Sequence, residues 1–556
     1  MKTILNIFLI SAVAALSAGC ELERYPYNEI SADKLDATNI ENITLGNYAK
    51  LKEEYYYKTL HQFGEYGGDN MTMSGTTSDY LFNHYTFRRL NDNHYTANVW
   101  QFTYQAIVNI NSILEIVPEG ESAEKDQLLG ENYFLRGFLY FQLCNIFGKP
   151  YSHPDPATNL GIPLKLTTQI DYFPPRATVA KVYEQVVKDM KKGEELMQSV
   201  KPNIFASKEV AQAFLSRVYL YMEKWDSVAI YANKVIESGR YTLLEGAAYE
   251  SYANAVPEAN TETIFAIRMM KDVDFEKYHL DQYSAGSLYA VIDNIGWGEM
   301  YPSASILDLL DEHMTDRRHK FIVPETTGAT LRMSYVQHNG GNEYLNVTDT
   351  LRREADGSYT ILENPSRYGS PTVQTDTGKD ALGEWTRYYV RRGGEKFYVR
   401  IENIALRNGY PKRYIYKISM QEGQSHLYSP VMIRLGEVYL NRAEAYAEQH
   451  MESEALADLN VIRRRANIPP LTSADLTATR TLNDRVSEER RLELAWEGFR
   501  KYDIFRKKQT LDRRYPGTHL TGEPVYPEVE WNDPCIVEFI PQREMDAYPI
   551  PLVQNP

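Results

Sequence analysis

Apolar residues recur with helical spacing along much of the chain. From Asp126 to Phe147 they stand at Leu128, Leu135, Phe138, Leu139, Phe141, Leu143 and Phe147, and Gly148 with Pro150 stops the run as a C-cap and a breaker. Amphipathic runs of the same kind cover Val179 to Met197, Lys208 to Met222, Asp226 to Ser238, Met432 to Gln449, Glu452 to Ala466 and Asn483 to Phe505. Several come as pairs. Leu435, Gly436, Tyr439, Ala443 and Ala447 follow the L-G-x-x-Y…A spacing of tetratricopeptide units, as does Ala213 to Ile236 with Tyr219, Trp225, Ala229 and Ala232. Small residues at these places let antiparallel helices approach closely, and stacked pairs bury a core that a single pair cannot. The pattern predicts a mainly α fold, an irregular tetratricopeptide-like helical repeat scaffold over about 40–245 and 430–510.

Between those two stretches the texture changes. Residues 246–429 are rich in Gly, Asn, Asp and Tyr, with short alternating pieces such as Thr263 to Met269 and Lys396 to Ile401 that read as short strands or loops. Long ordered insertions on a rigid scaffold are where binding surfaces usually lie, so 246–429 and a smaller stretch, about 60–100, are the expected ligand-binding insertions. Residues 511–556 form a C-terminal tail, and the whole from residue 20 onward reads as one composite domain.

The first nineteen residues read as an export signal: Lys2, an apolar run from Ile4 to Leu16, then Ser17, Ala18 and Gly19. The run is shorter than the roughly 20 apolar residues a membrane span needs. Cys20 directly after the small residues resembles a bacterial lipobox, with Ser17 where Leu is usual, and Cys20 is the expected lipid-attachment residue. Glu21 and Glu23 resemble an acidic surface-export signal, and residues 21–39 read as a tether.

Composition narrows the function. In 556 residues, 75 Asp plus Glu outweigh 60 Lys plus Arg, a net charge of -15, and the basic tracts Arg463 to Arg465 and Arg490–Arg491 sit among glutamates, which argues against nucleic acid as a partner. Three cysteines with no CxxC pair supply neither a disulfide framework nor a four-thiolate zinc site. His313 and His319 stand six apart, off the i, i+4 spacing of helical metal ligands, so no metal centre and no cofactor is expected beyond a structural calcium that loop oxygens could accept. Hydrolase motifs such as G-x-S-x-G, the P-loop and H-E-x-x-H are absent, and the expected function is binding without chemistry. Glu489, Glu493 and Glu497 are the tempting carboxylates for glycoside hydrolysis. Their spacing to Arg490 and Arg500 fits i, i+3 pairs beside an apolar stripe of Leu492, Ala495, Trp496, Phe499 and Tyr502, a structural role.

Longer motifs then carry a resemblance: Arg136 to Pro150 with Gly161 to Leu164, Arg176 to Tyr183, Val210 to Leu244, Glu262 to Phe265, Pro302 to Leu307, Pro430 to Ala445, Ala455 to Ala466, and most specifically Glu488 to Arg506 and Tyr548 to Pro556. Across nearly the whole mature chain these are similar to the SusD/RagB family of nutrient-binding lipoproteins. Trp496 stands where Phe is commoner and Gln554 where Glu is usual. The resemblance implies a lipid-anchored outer-membrane protein facing the medium, which captures an oligosaccharide and closes as a lid over a SusC-like TonB-dependent transporter. Some RagB-like members handle peptides, which leaves a peptide as the alternative ligand.

A sugar ring offers an apolar C–H face and a girdle of hydroxyls, so exposed aromatics beside Asp, Asn or Arg are the expected contacts. Three clusters qualify: Tyr66, Asp69 and Asn70; Tyr283, Tyr289, Trp297 and Tyr301; and Trp385, Tyr388 and Arg391. The expectation concerns the clusters, because any one aromatic is at least as often a core residue. Trp100, with helical periodicity around it, is expected in the core.

Overall fold

The computed structural model describes residues 37–380, 382–521 and 525–556. The export signal, Cys20 and the tether up to residue 36 lie outside the described residues.

The scaffold is a stack of antiparallel helix pairs. His94–Ile116, Ala123–Phe147, Val179–Leu196, Lys208–Tyr221 and Trp225–Glu237 pack each against the next, and Trp225–Glu237 then packs against Leu435–Glu448, which pairs with Glu452–Arg465 and Leu482–Leu494. The stack is therefore continuous in space across about two hundred residues of insertion. Side-chain caps set several helix starts: Ser122, Thr178 and Ser207 accept from Lys125, Lys181 and Val210 backbone N–H groups, and Thr481 with Asp484 forms a capping box. Ala123–Phe147 is buried nearly all round and ends at Gly148, where a Cβ would crowd the Cys144 carbonyl at 2.9 Å. At the centre Phe134 and Phe138 each meet Phe214 edge to face at 5.3 Å, with Phe265 at 5.6 Å from Phe134, and Trp100 is buried in the same core.

Arg176 ties distant motifs together. It donates to the carbonyls of Gly161, Leu160, Phe147 and Val553 and to Asn555 Oδ1. Asn555 in turn donates to the Phe147 and Glu538 carbonyls, so the tail is knotted to the end of the central helix.

Two expected helices differ. The run from Met432 begins as the strand Val431–Arg434, paired with Thr263–Ala266, and turns helical only at Leu435. The run from Asn483 to Phe505 is not one helix but Leu482–Leu494 and Arg500–Arg506, broken between them. Trp496 at φ 62° and Gly498 at φ 85° reverse the chain there, and the Glu65 carboxylate accepts from both of their N–H groups at 3.0 Å. A Cβ on Gly64 would run into the Gly498 carbonyl, so the helix Glu54–Glu65 seats the break only because Gly64 lacks one.

The large insertion carries more regular structure than short strands or loops. Six antiparallel strands form one sheet in the order Gln374–Asp380, Gly383–Arg392, Glu395–Ile404, Thr330–His338, Tyr344–Arg353, Tyr359–Ile361. One face buries Met333, Tyr335, Leu351, Ile361, Val390 and Val399 in a core of its own. The strand period of two sends their neighbours to the other face, which turns toward the scaffold.

Candidate functional site

That scaffold-facing side of the sheet and the helix Ala304–Leu310 enclose a cleft of about 660 Å³. Arg400 spans the two, ion-paired with Asp311 on the helix side, and Arg413 joins Glu402 at 2.6 Å and Ser334 at 2.6 Å. Such pairs fix the floor and leave it without net charge.

Along the strands, cations and rings alternate. The Arg387 guanidinium lies 3.9 Å over the Tyr398 ring, and Lys396 stands 4.6 Å from Tyr398 and 4.2 Å from Tyr389. Tyr398 is 41% exposed and donates from its hydroxyl to Asp376 at 2.7 Å. Lys396 also pairs with Asp376, which with Tyr398 holds that carboxyl below its ordinary value. Arg387 forms neither an ion pair nor a hydrogen bond within the described residues, so its fork of donors, supported by an aromatic ring, is left for whatever enters the cleft. Across from it Asp308 is exposed, and loss of water followed by the Asp311 charge raises its carboxyl. The arrangement suits a ligand with an apolar face and many hydroxyls: rings for the face, an unpaired donor fork and an unpaired acceptor for the polar edge.

The structure scatters the expected ligand clusters. Tyr301 borders the cleft, but its ring is 2% exposed and its hydroxyl donates to the Gly298 carbonyl. Tyr388 also borders it, yet its ring turns to the other face of the sheet and packs edge-on against Tyr359 at 5.4 Å. Trp385 lies over Gly378, where a Cβ would collide with its ring, and beside the turn at Met314. Arg391 is exposed at the end of the cation and ring ladder, 5.8 Å from Tyr389. Tyr283 and Trp297 are exposed outside the cleft, the Trp297 indole N–H donating to the Gln282 carbonyl.

The remaining four are interior residues rather than surface contacts. Tyr66 and Tyr289 are wholly buried, 6.3 Å apart and edge to face, and the Tyr289 hydroxyl meets His61 at 2.9 Å. Asp69 is clamped by Arg500 at 2.6 Å and Arg491 at 3.3 Å; although burial alone would raise its carboxyl, the two guanidiniums bring it down to about 2. Asn70 donates to Glu65 and accepts from Arg491. Polar residues in a Gly-rich loop resemble a binding loop in sequence, but here they anchor that loop to the broken helix.

Arg387, Tyr389 and Tyr398 were not among the expected contacts. Strand parity was the signal: Trp385, Arg387, Tyr389 and Arg391 share a face, opposite to Tyr388, and Lys396, Tyr398 and Arg400 share it on the neighbouring strand.

The tempting glutamates are enclosed. Glu493 meets Arg434 and Arg465 at 2.5 Å, Glu497 meets Lys417 at 2.6 Å and Arg434 at 2.8 Å, and Glu489 meets Arg318 and Arg463 at 2.7 and 2.9 Å. Burial would raise the carboxyls of Glu493 and Glu497, but these cations outweigh it and hold both below the ordinary range. Among the described residues the i, i+3 pairs Arg490–Glu493 and Glu497–Arg500 do not form: Arg490, although in the same helix as Glu493, turns to Asp503 at 2.8 Å, and Arg500, beyond the break, turns to Asp69. Among the described residues no cluster of three or more His, Cys, Asp or Glu could hold a metal ion, and no helix is long and apolar enough to cross a membrane. His319 borders the cleft, its Nε2 at 3.3 Å from the His313 carbonyl.

Comparison with known proteins gives a consistent picture. Residues 22–220 match a family described as starch-binding, associating with outer membrane, and residues 261–556 match the SusD family. A SusD-like protein of Formosa agariphila is 24% identical over 94% of this chain and 95% of its own length. Among solved structures, a SusD superfamily protein from Bacteroides thetaiotaomicron superposes with a TM-score of 0.69 at 23% identity, covering 94% of this chain and all of that one. A putative sugar binding protein from Bacteroides vulgatus does so at 0.67 and 26%, covering 93% and 98%.

Proposed function

The chain belongs to the SusD family, and from that premise we propose that it is a carbohydrate-binding surface lipoprotein whose ligand sits in the cleft between the six-stranded sheet and the helix Ala304–Leu310. The observation that carries the reading is the unpaired Arg387 guanidinium stacked on the exposed Tyr398 ring inside a cleft of about 660 Å³. A guanidinium held by a ring loses little freedom on meeting a hydroxyl, and its outward donors have only water to exchange. Each neutral hydroxyl bond nets about 0.5–1.5 kcal/mol, so longer oligosaccharides bind better than single sugars. In this reading Cys20 carries the lipid, the protein faces the medium from the outer membrane, and a SusC-like TonB-dependent transporter receives the captured ligand. The buried, cation-enclosed Glu489, Glu493 and Glu497 favour capture over hydrolysis at the position the sequence made most tempting.

The test is calorimetry of the purified protein against a broad panel of oligosaccharides and of peptides, with Arg387→Ala alongside. Saturable binding of at least one oligosaccharide that the variant loses supports the reading. Binding of peptides only, with no oligosaccharide bound, would assign the cleft to peptide capture instead.

A further inference from the structure

Beside the cleft lies a second, more polar pocket of about 290 Å³. The two share walls: on the helix Ala304–Leu310, Ser305 borders the pocket while Ala304, Leu307 and Asp308 border the cleft, and the chain passes from Tyr515 in one to Pro516 in the other. Arg491, Arg500 and Arg514 line the pocket against two carboxylates, Asp69 and Asp512. Asp69 serves two guanidiniums at once, accepting from Arg500 Nε at 2.6 Å and Nη2 at 3.1 Å while Arg491 Nη2 stands 3.3 Å away. Asp512 is held by Arg514, which Glu528 also approaches at 3.3 Å, and Glu530 holds Thr510. Asp512, Arg514, Glu528 and Glu530 are all on the solvent-exposed rim. Inside, Arg491 and Arg500 share the single carboxylate of Asp69, an excess of one positive charge.

The hydrogen-bond accounting points the same way. Arg491 uses Nε on Asn70 and Nη2 on the Asp69 carbonyl and Ser305, and Arg500 uses Nε and Nη2 on Asp69. Among the described residues Nη1 of neither arginine has a protein partner. Burial, reinforced by the neighbouring Arg500, pulls the Arg491 guanidinium down to about 10 despite Asp69, as expected of a cation lacking a full complement of acceptors.

Resting on the glycan-binding reading above, we infer that this pocket binds an oxyanion, a carboxylate or sulfate group carried by the glycan in the adjoining cleft, and so selects acidic oligosaccharides. The Nη1 groups of two arginines lining one pocket offer such an anion charge-assisted hydrogen bonds, stronger than those a neutral hydroxyl would accept.

The pocket is tested first without any glycan, by titrating the purified protein with inorganic sulfate at constant ionic strength set by chloride and following thermal unfolding. Saturable stabilisation is expected. Its midpoint should rise about tenfold in Arg491→Lys, which keeps the charge beside Asp69 but removes the free fork nitrogen, and about threefold in Arg514→Gln on the rim. Stabilisation by sulfate no greater than by chloride would overturn the proposal, as would an unchanged midpoint in folded Arg491→Lys; if that variant does not fold, Arg514→Gln decides. The second arm compares tetragalacturonate, a sulfated galactan tetrasaccharide and maltotetraose. Competition of either acidic sugar with sulfate supports the selection and tells carboxylate from sulfate. Saturable sulfate binding with no competition from either acidic sugar would refute it. Should no sugar of any charge bind, the glycan-binding reading fails while the sulfate titration still decides the pocket.

Discussion

Two regions of this molecule are crowded with charge, and they differ in how the charges are satisfied. At the broken helix, Arg434, Arg465, Arg318 and Lys417 are all but fully buried, and each meets at least one carboxylate. At the sheet cleft the charges are more exposed, and two of them, Arg387 and Asp308, stand without an ion pair among the described residues. A buried charge is tolerated only when paired, so the first region holds chain segments together. An open, unpaired charge supported by an aromatic ring has nothing to hold, and that is the signature of a surface waiting for a ligand.

The largest expected effect breaks the first region. Arg434→Met removes the one cation shared by the buried Glu262, Glu493 and Glu497, leaving three carboxylates to Arg465 and Lys417, and should cost about 3–5 kcal/mol in chemical denaturation, or prevent folding; a loss below 1 kcal/mol would mean the junction does not depend on its pairing. Next comes the cleft. Arg387→Ala should weaken oligosaccharide binding by about 1.5–3 kcal/mol if its donors meet a charged group or several hydroxyls, and leave the unfolding midpoint within the range of an ordinary surface change, about 0.5 kcal/mol. Tyr388→Phe, on the opposite face, should leave binding unchanged, which separates the two faces of one strand.

Acid titration sharpens the contrast because the two regions carry opposite signs. Asp69, with its folded value down at about 2 against an unfolded value near 3.9, contributes about 2 kcal/mol that is fully present above about pH 4 and lost as pH falls toward 2. Asp308, raised in the folded state, acts oppositely, its contribution being greatest at low pH and lost as pH rises through its folded value. Stability measured from pH 5 to pH 2 should therefore fall less steeply in Asp69→Asn than in the parent chain, and slightly more steeply in Asp308→Asn. The smallest effect belongs to Trp297→Ala. Its ring is exposed outside the cleft, and both stability and binding should move by less than about 0.5 kcal/mol.

How much of this was legible beforehand depends on the range of the forces involved. Helix pairs such as Lys208–Tyr221 with Trp225–Glu237 declare themselves through local periodicity and agree with the sequence reading to within a residue or two. The break at Trp496 does not, because its cause is the Glu65 carboxylate, more than four hundred residues away along the chain. The helix propensity of that stretch is overridden by two long-range hydrogen bonds. Asp69 and Asn70 misled for the same reason: their partners, Arg491 and Arg500, arrive from the far end of the sequence. The cleft was half legible. The segment from Trp385 to Arg391 was singled out, but only the alternation of a strand separates Tyr389 from Tyr388, and only the pairing with Glu395–Ile404 brings Tyr398 under Arg387.

The most direct test of the central claim is a crystal structure of the protein with the tightest-binding oligosaccharide from the panel. The account predicts a sugar ring within van der Waals contact of the Arg387 and Tyr398 pair, with Asp308 accepting from a hydroxyl. A ligand bound elsewhere, with that pair untouched, would contradict it.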